Sequence, residues 1–381
     1  MKERLQIFFS DLIRGKRKGI TSTLLKALLL PLSFVFKGVA SSRQWAFERG
    51  YLSKYHPPIP LVISVGNIVA GGTGKTPVTL MLAKEFYSDY TIAILSRGYR
   101  SLVEKESYPV TLSVGTGPLY PAETCGDEPY LLARNLPKAI VLVGKDRCAS
   151  AHLAAHYGPH VILLDDGMQH QRLGRDLDIV VMNANDPFGQ GHFLPRGLLR
   201  ESPHALSRAN LIIINHVRNT AHYETLKRQL KMYSNAPCIG SRMEIVSLQD
   251  LKGNLVSSIT GKKVGLFCGI AHPEQFQATV QELGAKTIAS RIFSDHQTFN
   301  RDELFQFATE CKNLGAEMLI CTEKDFVKLI DFPDLPLPVI WPQMQLCIVE
   351  DKAHWQAFIS KAKTILSRSE QNLIASKETL K

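Results

Sequence analysis

The feature that most constrains this chain is an apolar strand that runs into a glycine-rich turn and then into a helical stretch. Residues 61–65 (Leu-Val-Ile-Ser-Val) lead into Gly66-Asn67-Ile68-Val69-Ala70-Gly71-Gly72-Thr73-Gly74-Lys75-Thr76-Pro77. In such a turn Gly71, Gly72, Thr73 and Gly74 bring successive backbone N–H groups inward around phosphate oxygens. The N-terminus of the helix that follows adds positive potential. Lys75 is placed to reach the β- and γ-phosphates, and the Thr76 hydroxyl suits Mg²⁺. Pro77 fits the first helical turn, where its missing N–H costs nothing. One detail departs from the standard G-x-x-x-x-G-K-[ST] spacing: Val69 stands where a glycine belongs.

Further apolar, β-branched runs read as buried parallel strands at residues 91–95, 139–143, 161–164, 177–182 and 211–214, with helical stretches at 77–87 and 146–157 between some of them. Strands alternating with helices predict an α/β fold, a P-loop NTPase-like doubly wound parallel sheet whose ligands bind at the carboxyl ends of the strands. A second α/β pattern begins after residue 235, with strands at 263–268 and 317–321 and helices at 273–283 and 301–314. The expected division is a basic, apolar segment over 1–55, a P-loop domain over 56–235 and a smaller α/β domain over 236–381.

Chemistry-bearing residues fall at the predicted strand ends. Asp165 and Asp166 close the run 161–164, where P-loop proteins hold Mg²⁺; a solvated acidic turn is the alternative. Gln169 and His170 extend that rim. Asp127 and Glu128, in Gly126-Asp127-Glu128-Pro129, are either plain acids at a helix N-terminus or, for Asp127, an acceptor for the proton of an attacking hydroxyl. Arg147, in Gly144-Lys145-Asp146-Arg147, is either a bidentate phosphate clamp or a surface ion-pair partner. Residues 189–201 form a long Gly/Pro-punctuated loop in which Arg196 and Arg200 are candidates to meet an anionic substrate. A lone His296 is ordinarily structural; paired with a carboxylate it assists a base near neutral pH.

Charge is unevenly spread. Residues 1–60 hold eleven Lys/Arg and three Asp/Glu, so most of the chain's formal +10 sits there. Residues 20–40 add an apolar stripe at helical spacing, interrupted by Lys26, Pro31 and Lys37. The pattern is short for a spanning helix, and no small-residue cleavage site follows it as in a signal peptide. An interfacial helix on an anionic membrane surface and a core helix with a basic solvated face both fit; the aromatics are not interleaved for nucleic-acid stacking. Seven scattered cysteines without a CxxC pair predict buried thiols, not a disulfide framework or zinc site.

Taken together, residues 66–329 resemble one family, tetraacyldisaccharide 4′-kinase of lipid A biosynthesis. The matching elements are VGN…GGTGKTP, SRGY (96–99), GDEP (126–129), GKDR (144–147), LDDGMQH (164–170), RDLDIVV (175–181), LPRGLLRE (194–201), DHQTF (295–299) and TEKDFVKL (322–329). The resemblance implies transfer of the ATP γ-phosphate to the 4′-hydroxyl of a tetraacylated glucosamine disaccharide 1-phosphate. It further implies two α/β domains and a helical contact with the cytoplasmic face of the bacterial inner membrane. It assigns Lys75 and Thr76 to phosphate and Mg²⁺, and Asp127 to general base with His296 as its partner. Glu128, Asp165 and Asp166 are assigned to the metal, Arg147 to the nucleotide, and Tyr99, Gln169 and Arg200 to nucleotide or disaccharide. No nucleic acid and no obligate protein partner is implied. Met168, Gln190 and Arg196 depart from the family pattern and bear on acceptor recognition. Two rival classes are a membrane-bound GTPase switch, for which Thr322-Glu323-Lys324-Asp325 is a shifted guanine-loop candidate, and a scaffold without turnover.

Overall fold

The apolar runs become strands. A computed structural model describes residues 11–15, 17, 19–99, 101–270, 273–293, 299–329, 332 and 334–378. Its strands are β1 (Leu61–Gly66), β2 (Ile92–Ser96), β3 (Val110–Val114), β4 (Ile140–Val143), β5 (Val161–Asp165), β6 (Leu177–Asn183), β7 (Leu211–Asn215), β8 (Cys238–Asp250), β9 (Leu255–Val256), β10 (Lys263–Cys268), β11 (Lys286–Ile292), β12 (Met318–Ile320) and β13 (Val339–Glu350). The longer helices are α1 (Ile20–Glu48), α2 (Lys75–Lys84), α3 (Asp127–Asn135), α4 (Arg147–Ala155), α5 (Thr220–Leu230), α6 (Pro273–Glu282), α7 (Arg301–Asn313) and α8 (Lys352–Glu378).

The first of two units takes residues up to Ser96, Asp146–Arg242 and Cys347 onward. Its sheet runs β8-β7-β6-β1-β5-β2, parallel throughout. Leu61 and Ile92 both lie opposite Val161, and Ile63 lies opposite Leu177. Strands β1, β2, β5 and β7 are buried along their full length, which is why they read as unbroken apolar runs and not as alternation. Because the strands are parallel, β1, β5 and β7 end at one rim, with Gly66, Asp165 and Asn215. Trp355, Phe358, Ile359, Ala362 and Leu366, at helical spacing, bury one face of α8 in this unit, against β1 and β7.

The second unit holds Arg97–Lys145 and Met243–Leu346. In it β11, β10, β12 and β13 are parallel, while β3 with β4 and β8 with β9 are antiparallel pairs. Its core gathers Phe267, Phe293, Phe299, Phe307, Phe326 and Trp341, with Tyr130 and Leu131 of α3 packed on them. The guanidinium of Arg134 lies 4.4 Å from the Phe326 ring centre, a cation–π contact that helps hold α3 here.

These units depart from the linear boundaries expected at 55 and 235. Residues 97–145 fold with the later unit because α3 needs its aromatic core. Residues from Cys347 return to the first because the apolar stripe of α8 needs β1 and β7. The chain passes between units inside β8 and again inside β13, where no Pro/Gly linker marks the change.

Helix α1 is also longer than the sequence reading allowed. It continues through Pro31 over 29 residues and, by length and composition, is apolar enough to cross a membrane. Leu24, Leu28, Leu32, Phe34, Val35 and Val39 are exposed, so it is not a core helix in this chain.

All seven cysteines are free; Cys125, Cys238, Cys268, Cys311 and Cys321 are buried. Burial pushes the thiols of Cys125, Cys238 and Cys311 up to about 11 and that of Cys268 to about 12. The folded chain therefore keeps these protons to higher pH than the unfolded chain. Their contribution is intact below the ordinary thiol value of about 8.5 and is lost as pH rises toward the folded values. Urea unfolding followed by fluorescence should show a midpoint that falls as pH is raised through that window. A thiol reagent at about pH 8 should label Cys148 and Cys347 at once and the five buried thiols only on unfolding.

Candidate active site

At the end of β1 the chain enters the phosphate-type loop. Gly74 takes φ 86°, and a β-carbon there would come 2.1 Å from Asn215 Nδ2, so only glycine fits. The loop is pinned from two sides. Asn67 Nδ2 donates to Thr73 Oγ1 at 3.0 Å, and Asn215 Nδ2 donates to the Thr73 carbonyl at 3.2 Å. Both asparagines are fully buried. The unusual spacing now has a physical cause. Val69 is a core residue whose backbone bridges to Leu199, and Ala70 N–H donates to the Leu198 carbonyl. The segment before Gly71 thus belongs to a pairing with the 189–201 loop, leaving Gly71, Gly72, Thr73 and Gly74 as the turn that opens onto α2.

Asp165 and Asp166 follow β5 and play different parts. Asp165 is 3% exposed; its carboxylate accepts from Thr79 Oγ1 of α2 (3.3 Å) and Ser96 Oγ at the end of β2 (3.2 Å). Asp166 has φ 55°, left-handed for a residue with a β-carbon, a conformation that surrounding contacts must hold. Lys75 Nζ lies 3.5 Å from its Oδ1, and Arg200 Nη1 donates to both its carboxylate oxygens, at 2.9 and 3.1 Å. Burial would raise its pKa, but Lys75, Arg200 and Arg147 outweigh that and hold the carboxyl well below the usual carboxylate range. Lys75 and Arg200 thus converge on one carboxylate, and Arg147, bonded to the neighbouring Asp165 carbonyl, adds to the positive field on it.

The remaining first-unit candidates are placed as follows. Arg147, the first residue of α4, is 2% exposed; it is not a surface ion-pair partner, and its Nη2 donates to the Asp165 carbonyl at 3.2 Å. Gln169 spends its amide N–H groups internally, on the Asn67 carbonyl (2.8 Å) and Glu201 Oε1 (2.9 Å). Met168 is buried in the core. Thr76 stands in the first turn of α2.

In the second unit, Gly126 carries φ 96° and its Cα side approaches Gly98, where an added β-carbon would lie 3.5 Å from Gly98 Cα. This contact sets the Gly98-Tyr99 turn, with Tyr99 exposed, beside the first turn of α3, with Asp127 and Glu128. Asp127 Oδ2 lies 3.7 Å from Lys328 Nζ. The side chain of Lys328 is 4% exposed, and its ammonium is also 3.3 Å from Asp325 Oδ1 and 5.2 Å from the Phe299 ring centre. Asp325 is fully buried and accepts from Thr322 Oγ1 (2.6 Å) and the Gly269 N–H (3.0 Å). Glu128 is exposed. His296 lies outside the described residues. Among the described residues no three carboxylate, histidine or cysteine side chains converge as a metal cluster.

Sequence reasoning did not single out Asn67, Asn215 or Lys328, and it weighed Asp325 only as part of a shifted guanine-reading loop, whereas the structure gives it to Lys328. Asn67, Asp325 and Lys328 lay inside the VGN and TEKDFVKL elements. Nothing local marked Asn215 beyond its place at the end of an apolar run.

With this geometry in place, comparison with known proteins is decisive. The model of the family described as tetraacyldisaccharide-1-P 4′-kinase matches residues 25–363. The chain belongs to the tetraacyldisaccharide-1-P 4′-kinase family. Among similar curated proteins, the tetraacyldisaccharide 4′-kinase of Desulfotalea psychrophila is 38% identical, covering 81% of this chain and 89% of its own. That of Anaeromyxobacter dehalogenans (strain 2CP-C) is 37% identical, covering 82% and 84%. A crystal structure of the "apo" form of LpxK from Aquifex aeolicus in complex with ATP superposes with a TM-score of 0.71 at 28% identity, over 91% of this chain and 99% of that one. The family carries the α/β, P-loop NTPase-like fold that the strand pattern predicts.

The buried Asp325–Lys328 pair yields a test. Asp325→Ala would leave a buried ammonium with half its countercharge and a buried N–H without an acceptor, at a cost of about 3–5 kcal/mol. Urea denaturation should register that loss; a change below about 0.5 kcal/mol would show that the pair is not anchored as described.

Proposed function

We propose that this member of the kinase family transfers the γ-phosphate of ATP to the 4′-hydroxyl of a tetraacylated disaccharide 1-phosphate, using Lys75, Asp127 and the loop from Gly71 to Thr76. The single observation that carries the reading is that Lys75 and Arg200 meet on Asp166, with Arg147 on the adjoining Asp165 carbonyl, beside a glycine-rich turn and a helix N-terminus. Three fixed cations and inward N–H groups form a receptacle for a triphosphate. Phosphoryl transfer needs little more than alignment and charge neutralisation, and those residues supply both.

Thr76, Asp165 and Asp166 offer oxygen donors only, which is the ligand chemistry of Mg²⁺, and Glu128 is a further carboxylate assigned to the metal. The donor set fits, so Thr76, Asp165 and Asp166 are the residues that would hold the cation, which when bound neutralises charge on the β- and γ-phosphoryl oxygens. With a nucleotide phosphate in place, Lys75 and Arg200 exchange the Asp166 carboxylate for phosphate oxygens. Asp127 accepts the proton of the attacking hydroxyl late in the transfer, with His296 as its partner. Lys328 holds the Asp127 carboxylate in place, and Asp325 holds Lys328.

For α1 we assign a membrane role: its exposed leucines and valines enter the acyl region on the cytoplasmic face while Lys26, Lys37 and Arg43 meet anionic headgroups.

Transfer of labelled γ-phosphate from ATP to the disaccharide 1-phosphate lipid in micelles tests the reaction. Wild type should label the lipid. Asp127→Ala should lose about 100- to 10,000-fold in kcat while still binding Mg-ATP. Full turnover in Asp127→Ala would remove the base assignment, and an unlabelled lipid with wild type would remove the kinase reading. A chain lacking residues 1–40 should no longer sediment with anionic vesicles; undiminished sedimentation would exclude α1 as the anchor.

A further inference from the structure

Helix α1 turns apolar residues outward and polar ones inward, the reverse of an ordinary surface helix. Its buried side chains are Ser22, Ser33 and Phe47, which stand about three and four turns apart and so share one face. Leu24, Leu28, Leu32, Val35 and Val39 are exposed. An apolar outer face suits a membrane, but it gives no reason for serines on the inner one. A helical serine or threonine ordinarily returns its hydroxyl to the carbonyl four residues back, as Thr23 does to Gly19 at 3.1 Å. Ser33 reaches out instead. It is 5% exposed, and its Oγ donates to the Phe193 carbonyl at 2.8 Å, across 160 residues of sequence.

That carbonyl belongs to a hairpin held on two sides. It also accepts the Gly197 N–H at 3.0 Å, so it joins the hairpin turn to the helix. Leu194 N–H donates to the Leu199 carbonyl at 3.0 Å, and Leu199 N–H returns to that of His192 at 2.9 Å. The Phe36 and Phe193 rings lie 6.4 Å apart, and a β-carbon on Gly15 would come 2.8 Å from Gln190 Oε1. From Leu199 the chain runs directly into the site. Leu199 bridges to Val69, the Leu198 carbonyl accepts the Ala70 N–H at 2.7 Å, and Arg200 N–H donates to the Ile68 carbonyl at 2.8 Å. The Arg200 guanidinium then reaches Asn67 Oδ1 at 3.2 Å and Asp166 Oδ1 at 2.9 Å. Arg196, on the same hairpin, has its Nε and Nη1 covered by protein, so Arg200 is the arginine that this hairpin brings to the phosphate loop.

We propose that Ser33 is a positioning residue for phosphoryl transfer: by holding the Phe193 carbonyl it sets the hairpin that presents Arg200 to the phosphate loop. A hairpin without this bond samples more positions, and an arginine held less firmly gives up more freedom when it meets a phosphate. Helix α1 then serves two ends with two faces. The outer face meets the bilayer, and the inner face is a strut of the active site whether or not a membrane is present. The proposal rests on the kinase reading for its turnover readout alone; nucleotide binding reads it directly.

The test uses the full-length chain. It measures Kd for ATP by calorimetry, KM and kcat in the micelle assay, and sedimentation with vesicles of phosphatidylglycerol and phosphatidylcholine. Ser33→Ala removes the donor without leaving the Phe193 carbonyl bare, since Gly197 still serves it. Ser33→Cys keeps the size with a weak donor, and Ser33→Thr keeps the hydroxyl. The Ala and Cys variants should raise Kd and KM for ATP about two- to tenfold, the range of one neutral hydrogen bond, with kcat held. Ser33→Thr should restore wild-type affinity, and vesicle sedimentation should not change in any of the three. In an Arg200→Ala background Ser33→Ala should add nothing, because the residue it positions is gone. The proposal is overturned if the Ala and Cys variants bind ATP like wild type, if the losses from Ser33→Ala and Arg200→Ala simply add, or if ATP affinity falls only together with vesicle binding. A wild type that labels no lipid would fail the kinase reading, while ATP calorimetry would still decide for or against Ser33.

Discussion

Everything in the first unit turns on where a cluster of like charges is allowed to sit. Lys75, Arg147 and Arg200 repel one another, and Arg147 is almost wholly buried, so their convergence needs a compensating anion. Asp166 provides it from a left-handed backbone that few residues with a β-carbon adopt. Asp165 next to it holds the ends of β2 and the start of α2 together through two hydroxyls. The two neighbouring acids thus divide the work: one ties the elements, the other keeps the cations at a single point. Removing the anion without supplying another would scatter the cations.

The second unit solves the same problem in mirror image. There a single buried cation, Lys328, lies between two carboxylates and against an aromatic face. Asp325 is immobilised by a hydroxyl and a backbone N–H, so it can hold an ammonium in a dry place. Asp127, at the first turn of α3, is the outer and more accessible of the two acids, which leaves it available for chemistry. An exposed aspartate at that position would be an ordinary helix-end acid; the lysine beneath it makes the difference.

Much of this was legible in the sequence. Fully buried parallel strands write themselves as continuous apolar runs, so β1, β5, β6 and β7 were visible with their ends within a residue or so. The GGTGKT core carried its own geometry. What was not legible depends on partners far away in the chain. Asn67 and Asn215 pin the same threonine from 6 and 142 residues away, and Gly74 is required because Asn215 lies against it. Asp325 and Lys328 gain meaning only once α3 lies on their aromatic core. Two of the four unit boundaries were invisible because there the chain changes unit inside β8 and inside β13. Helix α1 was cut short because Lys26 and Lys37 looked like interruptions, although a helix with most of its surface exposed accommodates them without ending.

The return of α8 to the first unit has a consequence for how this chain is made. The sheet of that unit is nearly complete in sequence by β7, yet the apolar stripe that covers β1 and β7 belongs to residues from Trp355 onward. The second unit likewise pairs residues before 145 with residues after 243. During vectorial synthesis neither unit closes early. A nascent chain holds uncovered apolar strands until α8 emerges, and such high-contact-order intermediates are exposed to aggregation and to chaperone capture. For this protein α8, synthesised after every strand described, is also the cover on β1 and β7.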